Sequence, residues 1–237
     1  MIYAGILAGG VGNRMGVTSM PKQFLSVGGV PIIIHTIQKF LMCSRIDHIY
    51  VAVVKDYVSH MNDILRKAIG DTDRVTVIEG GADRNGSIVN VISEIRKTDS
   101  SDDNILITHD AVRPFISARI IEENIDAALK YGATDTVIPA TDTIIRSANG
   151  EKLDDIPVRD ELYNGQTPQT FRINWFEEDY GALDDAQKAI LTDACKIFTL
   201  AGRYVRMVKG DSYNMKITTP FDLRLAEAIV AEEFCHD

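Results

Sequence analysis

Short apolar runs alternate with helical patterns over the first 140 residues, and this alternation restricts the possible folds more than any other feature. Each run has the length of one buried strand and is followed by apolar residues at helical spacing. Such an order is typical of a parallel sheet with helices on both faces, joined by right-handed crossovers. The predicted strands cover residues 2–7, 49–54, 75–78, 105–107 and 136–140. The sequence therefore predicts an α/β fold with a doubly wound, mostly parallel sheet.

The alternation stops at about residue 141, where a polar segment rich in glycine and proline begins. Segments this long inside a compact domain more often have a function than none. We interpret residues 141–172 as a protruding β-rich arm, and a surface hairpin of no function is the alternative. Helical patterning returns over residues 185–200, a strand follows over 204–208, and Pro220 begins a last helix. We therefore expect one Rossmann-like domain over residues 1–237.

The charge balance and the lengths of the apolar runs argue against two classes of partner. The chain has 25 Lys and Arg against 34 Asp and Glu, a formal net charge of −9. Because a general nucleic-acid binder needs a basic face to release counterions, we expect no nucleic-acid partner. No run approaches the ~20 apolar residues that span a bilayer, so we expect no insertion into a membrane.

The cysteines and the N-terminal run favour a reduced, cytoplasmic protein. Cys43, Cys195 and Cys235 cannot all pair within one chain, and their spacing contains no Cys-x-x-Cys pair. The first apolar run has no basic residues before it and ends in glycines, which is typical of a buried strand and not of a secretory signal.

A glycine-rich loop with two nearby cations follows the first strand. The segment LAGGVGNRMG contains Gly9, Gly10, Gly12 and Arg14, and PKQ then supplies Lys22. Glycines let backbone N–H groups approach a phosphate chain, and the two cations add positive charge. A dinucleotide-binding loop would have glycine at position 15, which is methionine, and a kinase-type P-loop needs Gly-Lys before Ser or Thr. The motif indicates a different phosphate site, the alternative being a plain strand–helix turn.

A second motif, GGADRNGSI, lies between the third predicted strand and a helix. Its glycines and Ser87 could present backbone and hydroxyl groups to the edge of a flat base. The alternative is a turn followed by a helix start, with Asn85 as the N-cap.

The third motif, ITHDAVRP, ends the fourth predicted strand with an acidic residue. A carboxylate at such a strand end, facing phosphates, is a natural Mg²⁺ ligand. Asp110 is that candidate, and an ion pair between Asp110 and Arg113 is the alternative. We interpret His109 as a neighbour of the site and not as a catalyst.

The fourth motif, KGDSYNMKITTPFDL, contains Lys216, which could approach phosphate from the far side of the crevice. The alternative is a strand–helix junction with solvated lysines. Since all four motifs follow strand ends, we expect them to share one rim of the sheet, where α/β sheets bind ligands.

These motifs, in this order and over nearly the whole chain, resemble those of cytidylyltransferases that join CTP to a polyol phosphate. One branch makes CDP-ribitol for teichoic acid and other polymers of cell-wall biogenesis, and the other acts on methylerythritol 4-phosphate in isoprenoid synthesis. The pattern as a whole, GGxGxRM…PKQ, GGADRN…S, HD(A)VRPF, GQTPQTF and NxKITTPxDL, looks most like the ribitol branch. The resemblance implies a Mg²⁺-dependent transferase that makes CDP-ribitol and pyrophosphate from CTP and D-ribitol 5-phosphate, with the 2-C-methyl-D-erythritol 4-phosphate enzyme as the alternative.

The resemblance also implies roles for the residues that match the family motifs. The catalytic cations would be Arg14, Lys22 and Lys216, and Asp110 would bind Mg²⁺. The nucleotide would contact Leu7, Ala8, Gly9, Gly10, Gly12, Gly81, Ala82, Asn85, Ser87, Asp110 and Ala111. The polyol phosphate would contact Arg113, Arg159, Thr167 and Thr192, some of them from the second subunit of a homodimer that forms through the arm.

One position departs from the isoprenoid branch, which commonly has an aspartate just before the asparagine of NxK. This chain has Tyr213 there. The departure favours the ribitol branch and leaves the second metal ligand open, with Asp211 as a candidate.

Two other classes of function compete with this interpretation. A CTP-binding module without catalysis could use the same glycine loop, but it would not need both cations and an arm for a second substrate. A nicotinamide-dependent oxidoreductase is disfavoured because position 15 is not glycine and no acidic residue ends the second predicted strand.

Overall fold

The structure is a computed structural model that describes residues 1–10 and 20–234. Nine strands are labelled here in chain order: β1 (Ile2–Ala8), β2 (Ser26–Val27), β3 (Val30–Pro31), β4 (His48–Val53), β5 (Val75–Glu79), β6 (Ile105–Asp110), β7 (Ala133–Pro139), β8 (Tyr163–Arg172) and β9 (Arg206–Lys209). The helices are α1 (Ile32–Leu41), α2 (Val58–Ile69), α3 (Arg84–Arg96), α4 (Ala118–Tyr131), α5 (Ile173–Ala182), α6 (Asp185–Ala189), α7 (Cys195–Leu200) and α8 (Pro220–Phe234). Over these residues no helix combines the length and the apolar character needed to cross a membrane.

Seven of these strands form one twisted sheet in the order β5-β4-β1-β6-β8-β7-β9. Strand β8 runs antiparallel to β6 and β7, whereas the other neighbouring pairs of this sheet are parallel. The chain moves outward from β1 to β4 and β5, then returns to place β6 on the other side of β1. The strand order therefore reverses at β1, and a crevice opens there at the carboxyl ends of the strands.

The core lies in two apolar layers, one on each face of the sheet. Helices α1, α2 and α4 cover one face through residues such as Ile37, Met61 and Ile121. Helices α3, α5 and α7 cover the other through residues such as Val91 and Phe176. Burial on both faces explains why β1, β4 and β6 are nearly continuous apolar runs. The predicted α/β fold with a mostly parallel sheet is confirmed.

The predicted arm is too long at its C-terminal end and is not rich in strands. Residues 141–162, all of them described, contain a β-bridge between Arg146 and Asp155 and a 3₁₀ helix over Arg159–Glu161, but no strand. The remainder of the predicted arm is β8, which is inserted between β6 and β7. Four of its six buried residues are polar, so an apolar pattern could not place it in the sheet.

The region after β8 also differs from the sequence pattern. Helix α5 was not predicted, and the single helix expected over residues 185–200 is two short helices, α6 and α7. A capping box of Asp184 and Gln187 begins α6, and Asp193 accepts a hydrogen bond from the backbone N–H of Lys196 at the start of α7. The capping box of α6 and the Asp193 bond before α7 mark two helix starts where periodicity alone predicts one helix.

Candidate active site

A cavity of about 280 Å³ opens at the carboxyl ends of β1 and β6, where the strand order reverses. All four sequence motifs contribute to its lining, so the prediction that they share one rim is confirmed. The predicted site residues that line it are Leu7, Ala8, Gly9, Gly10, Lys22, Gly81, Ala82, Ser87, Asp110, Ala111 and Lys216. Gly12 and Arg14 lie outside the described residues.

Asp110 ends β6 with its carboxylate among three cations. Lys216 Nζ lies 2.8 Å from Oδ2, Arg113 Nε lies 3.4 Å from the same oxygen, and Arg84 Nε lies 3.9 Å from Oδ1. Burial alone would raise the pKa of Asp110, but the charges of Arg84, Lys216 and Arg113 together hold it well below its ordinary value. Asp110 is therefore a carboxylate at neutral pH, and the Asp110–Arg113 ion pair, which was the alternative interpretation, is one part of a larger cluster.

Arg84 is a lining residue that the sequence analysis did not single out. It begins α3, and its Nη1 and Nη2 atoms are buried without a hydrogen-bond partner among the described residues. A buried guanidinium that lacks acceptors is costly unless a ligand supplies them. The arginine within GGADRN was visible in the sequence. The direction of its side chain was not, because that direction depends on where α3 begins.

At the start of α3, Asn85 is neither the N-cap nor a residue that lines the cavity. Asp83 is the N-cap, and its side chain accepts a hydrogen bond of 2.7 Å from the backbone N–H of Gly86. Asn85 lies inside the first turn, is 5% exposed, and does not line the cavity. Asp83 is the cap because its carboxylate lies outside the helix, where the first free N–H groups point.

Gly81 must be glycine for a steric reason. A Cβ atom there would collide with the backbone of Gly86 and Ser87. The close approach lets the Gly81 N–H donate to Ser87 Oγ over 3.0 Å, while Ser87 Oγ donates to Asp83 O over 2.9 Å. The second motif is thus a rigid turn at the cavity wall.

Lys22 lies on a short 3₁₀ helix, Lys22–Phe24, which a buried amide attaches to the first strand. Gln23 is 2% exposed, and its Nε2 donates to Ala8 O over 2.7 Å. This bond sets the PKQ motif against the end of β1, beside Gly9 and Gly10.

Two residues expected to contact the polyol phosphate are instead packed beneath the cavity. Arg113 Nη1 donates to Asn214 O over 2.7 Å. Thr167 is buried, and its Oγ1 accepts from the Asp110 backbone N–H and lies 2.9 Å from Nδ1 of His109. Both residues contact Asp110, and neither lines the cavity of the single chain.

The other two expected contacts lie elsewhere on the surface. Arg159 and Thr192 are exposed, and neither lines the cavity. Asp211 does not line it either, and its carboxylate accepts a hydrogen bond from the Tyr213 backbone N–H. The structure therefore does not bring Asp211 to Asp110 as a second metal ligand.

His109 is fully buried behind Asp110. Burial lowers the pKa of His109 to about 4, and the ring packs against Phe40. Its ring nitrogens contact Arg113 O and Thr167 Oγ1. The ring is neutral at neutral pH and has a structural role, which agrees with the interpretation of His109 as a neighbour of the site.

Known proteins with this fold and motif order identify the family. The sequence profile of the 2-C-methyl-D-erythritol 4-phosphate cytidylyltransferase family matches residues 2–232. The 4-diphosphocytidyl-2C-methyl-D-erythritol synthase of Anaerococcus prevotii is 29% identical, with a TM-score of 0.80 over 97% of this chain and 98% of that one.

Two further solved structures agree with it. The 2-C-methyl-D-erythritol 4-phosphate cytidylyltransferase of Thermus thermophilus is 26% identical, with a TM-score of 0.73 over 98% of this chain and 100% of that one. The enzyme of the same name from Francisella tularensis is 26% identical, with a TM-score of 0.80 over 96% of this chain and 98% of that one. This chain is therefore a cytidylyltransferase and belongs to the 2-C-methyl-D-erythritol 4-phosphate cytidylyltransferase family.

Proposed function

We propose that this enzyme transfers the cytidylyl group of CTP to the phosphate of a short polyol phosphate and releases pyrophosphate. The observation that carries the proposal is the cluster around Asp110. A buried carboxylate and the cations Arg84, Arg113 and Lys216 meet at the rim that also holds Gly9, Gly10 and Lys22.

The reaction makes one phosphorus–oxygen bond and breaks another. A phosphate oxygen of the acceptor attacks the α-phosphorus of CTP, and the bond from that phosphorus to the bridging oxygen breaks, so that pyrophosphate leaves with the electron pair. The nucleophile is already an anion, so no general base is needed, which fits the neutral, buried His109. Catalysis then consists of positioning and charge neutralisation.

Each wall of the cavity has a role in this proposal. Backbone N–H groups at Gly9 and Gly10 would meet the phosphates, with Lys22 and Lys216 on opposite sides of the triphosphate. Arg84 would supply its Nη donors, which have no partner in the part of the chain that the structure describes, to phosphate oxygens. The rigid turn of Gly81 and Ser87 would hold the edge of the cytosine.

The donor set fits a Mg²⁺ ion that is shared with the nucleotide. The described residues contain no group of three or more His, Cys, Asp and Glu side chains able to hold a metal by themselves. Mg²⁺ typically takes one or two carboxylates and completes its shell with phosphate oxygens and waters, and Asp110 is an ionised carboxylate in the cavity. We propose Asp110 as the protein ligand, and the ion would neutralise charge on the departing pyrophosphate.

Two acceptors compete within this proposal. The names of the family and of the similar structures support methylerythritol 4-phosphate better than the ribitol 5-phosphate favoured by the motifs. One observation on this chain favours ribitol 5-phosphate. Tyr213, 63% exposed, occupies the position where the isoprenoid branch commonly has an aspartate.

We further propose that the enzyme is a homodimer joined through the arm, residues 141–162. The arm contributes no residue to the buried core, yet three of its apolar residues are each more than half exposed to solvent. They are Ile145, Ile156 and Val158. A second copy that covers these side chains would also bring Arg159 near the partner's cavity. That arrangement would explain why Arg159, a predicted contact of the acceptor, lies outside the cavity of its own chain.

The deciding experiment measures pyrophosphate release from CTP with ribitol 5-phosphate and with methylerythritol 4-phosphate, side by side. Release with one acceptor identifies the substrate. CTP binding without release with either acceptor would favour a non-catalytic module and overturn the proposal. As a second arm, Lys22→Ala should lower kcat far more than CTP affinity, because Lys22 is expected to stabilise charge that develops during transfer.

A further inference from the structure

Lys216 belongs to a stretch without helix or strand, residues 210–219, between β9 and α8. The ammonium nevertheless meets Asp110 at 2.8 Å, and its side chain is 41% exposed at the cavity rim. A long, flexible side chain on an irregular segment stays in one position only if the backbone of that segment is fixed by other contacts. The contacts of that backbone therefore decide where the charge of Lys216 lies.

The carboxamide of Gln166 pairs with both polar groups of the Asp211 backbone. Gln166 Nε2 donates to Asp211 O over 2.8 Å, and Asp211 N donates to Gln166 Oε1 over 3.3 Å. Gln166 is 7% exposed, so these bonds are shielded from water. One side chain thus supplies the donor and the acceptor that a neighbouring strand would otherwise provide.

The same carboxamide holds the segment at a second point, closer to Lys216. Asn214 Nδ2 donates to Gln166 Oε1 over 3.2 Å and to Thr167 O over 2.7 Å. Gly210 leaves room for this arrangement, since a Cβ atom there would collide with Gln166 Oε1. Three residues shortly before Lys216 are therefore fitted to the buried carboxamide of Gln166 on β8. They are Gly210, Asp211 and Asn214.

The next residue of β8 holds the other member of the ion pair. Thr167 Oγ1 accepts from the backbone N–H of Asp110 over 3.2 Å. Adjacent residues of one strand thus fix the backbones that carry Lys216 and Asp110. We propose that Gln166 is a positioning residue that sets Lys216 against Asp110 through the backbone of residues 211–214.

The consequence for catalysis rests on the proposed function, in which Lys216 neutralises phosphate charge. Loss of the Gln166 carboxamide would remove three hydrogen bonds of residues 211–214 and loosen the place of Lys216, although the bonds of Asn214 to Thr167 O and Arg113 and of Ile217 N to Val112 O remain. Because misplacing a catalytic group by about 1 Å can cost ~10²-fold in rate, kcat should fall at least about tenfold in such a variant. CTP affinity should change much less, since the hydrogen bonds of Gln166 among the described residues go to Asp211 and Asn214 and not to Gly9, Gly10 or the Gly81 turn.

The experiment uses Gln166→Met, which keeps the volume but removes both hydrogen-bonding groups. The readout is the rate at which an amine-reactive anhydride labels Lys216 in the ligand-free enzyme, measured by mass spectrometry against the exposed Lys67. We expect faster labelling of Lys216 in the variant, because the ammonium is no longer held at the carboxylate. If Gln166→Met fails to fold, Gly210→Ala replaces it. Its added methyl group would displace the Gln166 carboxamide, so Lys216 should again be labelled faster.

Asn124→Ala is the matched control. Asn124 is another buried amide, on α4, bonded within the described part of the chain to Thr134 and Thr136 of β7 and not to Gln166 or residues 210–216, so its loss should lower stability and leave Lys216 labelling unchanged. Wild-type labelling of Lys216 in both Gln166→Met and Gly210→Ala would overturn the proposal. Faster labelling with unchanged turnover would uphold the positioning role of Gln166 and instead refute the catalytic role of Lys216.

Discussion

Lys216 and Asp110 form the shortest ion pair of the cavity among the described residues, with Nζ 2.8 Å from Oδ2. One comes from the segment before the last helix and the other from the end of β6, so the pair joins the two sides of the crevice. Arg113 and Arg84 complete the charge around the same carboxylate. The enzyme therefore holds its cations ready around one anion before the more highly charged triphosphate enters.

Arg84→Ala should reduce kcat/KM for CTP by about 10²-fold, the usual effect of removing one donor aimed at developing phosphate charge. Its Nη atoms have no partner among the described residues, so the ligand is the acceptor we expect. Arg84→Lys should recover only part of the loss, because an ammonium cannot donate in the fork of a guanidinium. Steady-state kinetics test this, with the exposed Arg66→Ala as control. Unchanged kinetics in Arg84→Ala would remove Arg84 from the site.

Gly81→Ala should abolish or strongly weaken CTP binding. The new methyl group collides with the backbone of Gly86 and Ser87 and separates Gly81 N from Ser87 Oγ. Titration of CTP by calorimetry gives the change in Kd. Gly181→Ala is a suitable control, because nothing lies within 4 Å of its added Cβ. Wild-type affinity in Gly81→Ala would mean that this turn does not shape the nucleotide site.

Asp135→Asn should stabilise the protein increasingly as the pH rises from about 4 to about 6. Burial raises the pKa of Asp135 from 3.8 to about 6, although Gln169 donates a hydrogen bond to its carboxylate. A carboxyl whose pKa is higher in the folded state favours folding only while protonated, so this group costs stability once it ionises. The gain should be at most about 3 kcal/mol and constant above pH 6.

The measurement for Asp135 is urea unfolding of both proteins across this pH range. The exposed Asp71→Asn provides the comparison for a carboxylate at the surface. A difference between wild type and Asp135→Asn that does not vary with pH would show that Asp135 keeps an ordinary pKa.

Val158→Asp should convert the proposed dimer to a monomer, because it places a charge on the apolar surface of the arm. Val158 is 63% exposed in the single chain. Sedimentation velocity reports the mass, and Met42→Asp, at a position outside the arm that is 80% exposed, should leave it unchanged. A monomeric wild-type protein would refute the proposed dimer directly.

Strand ends and glycine turns were predictable because their signals are local. Asp110 follows an apolar run, and the glycine at position 81 precedes a helical pattern, so sequence alone places both at one rim. The direction of Arg84 was not predictable, since it depends on where α3 begins and on the carboxylate from another strand. The same reason explains why Arg113 and Thr167, assigned by motif to the substrate, turn out to be packed behind Asp110.

Strand β8 was assigned to the β-rich arm and not to the central sheet, because apart from Pro168 and Phe171 its buried side chains are polar. Gln166, Thr167, Gln169 and Thr170 are all buried, and three of these side chains form hydrogen bonds to backbone or side-chain groups of other segments. Periodicity measures apolar patterning only, so a buried strand made of amides and hydroxyls looks like a loop. The partners that satisfy these groups become visible only in three dimensions.

The arm leaves and rejoins the sheet at neighbouring points, since Pro139 of β7 pairs with Tyr163 of β8. The two ends of the arm are thus fixed side by side, whatever conformation the residues between them adopt. Insertions or deletions at the tip could accumulate over evolution without shifting the register of the strands. A lineage could in this way remodel the part of the molecule that we propose meets a second substrate while the nucleotide end keeps its geometry.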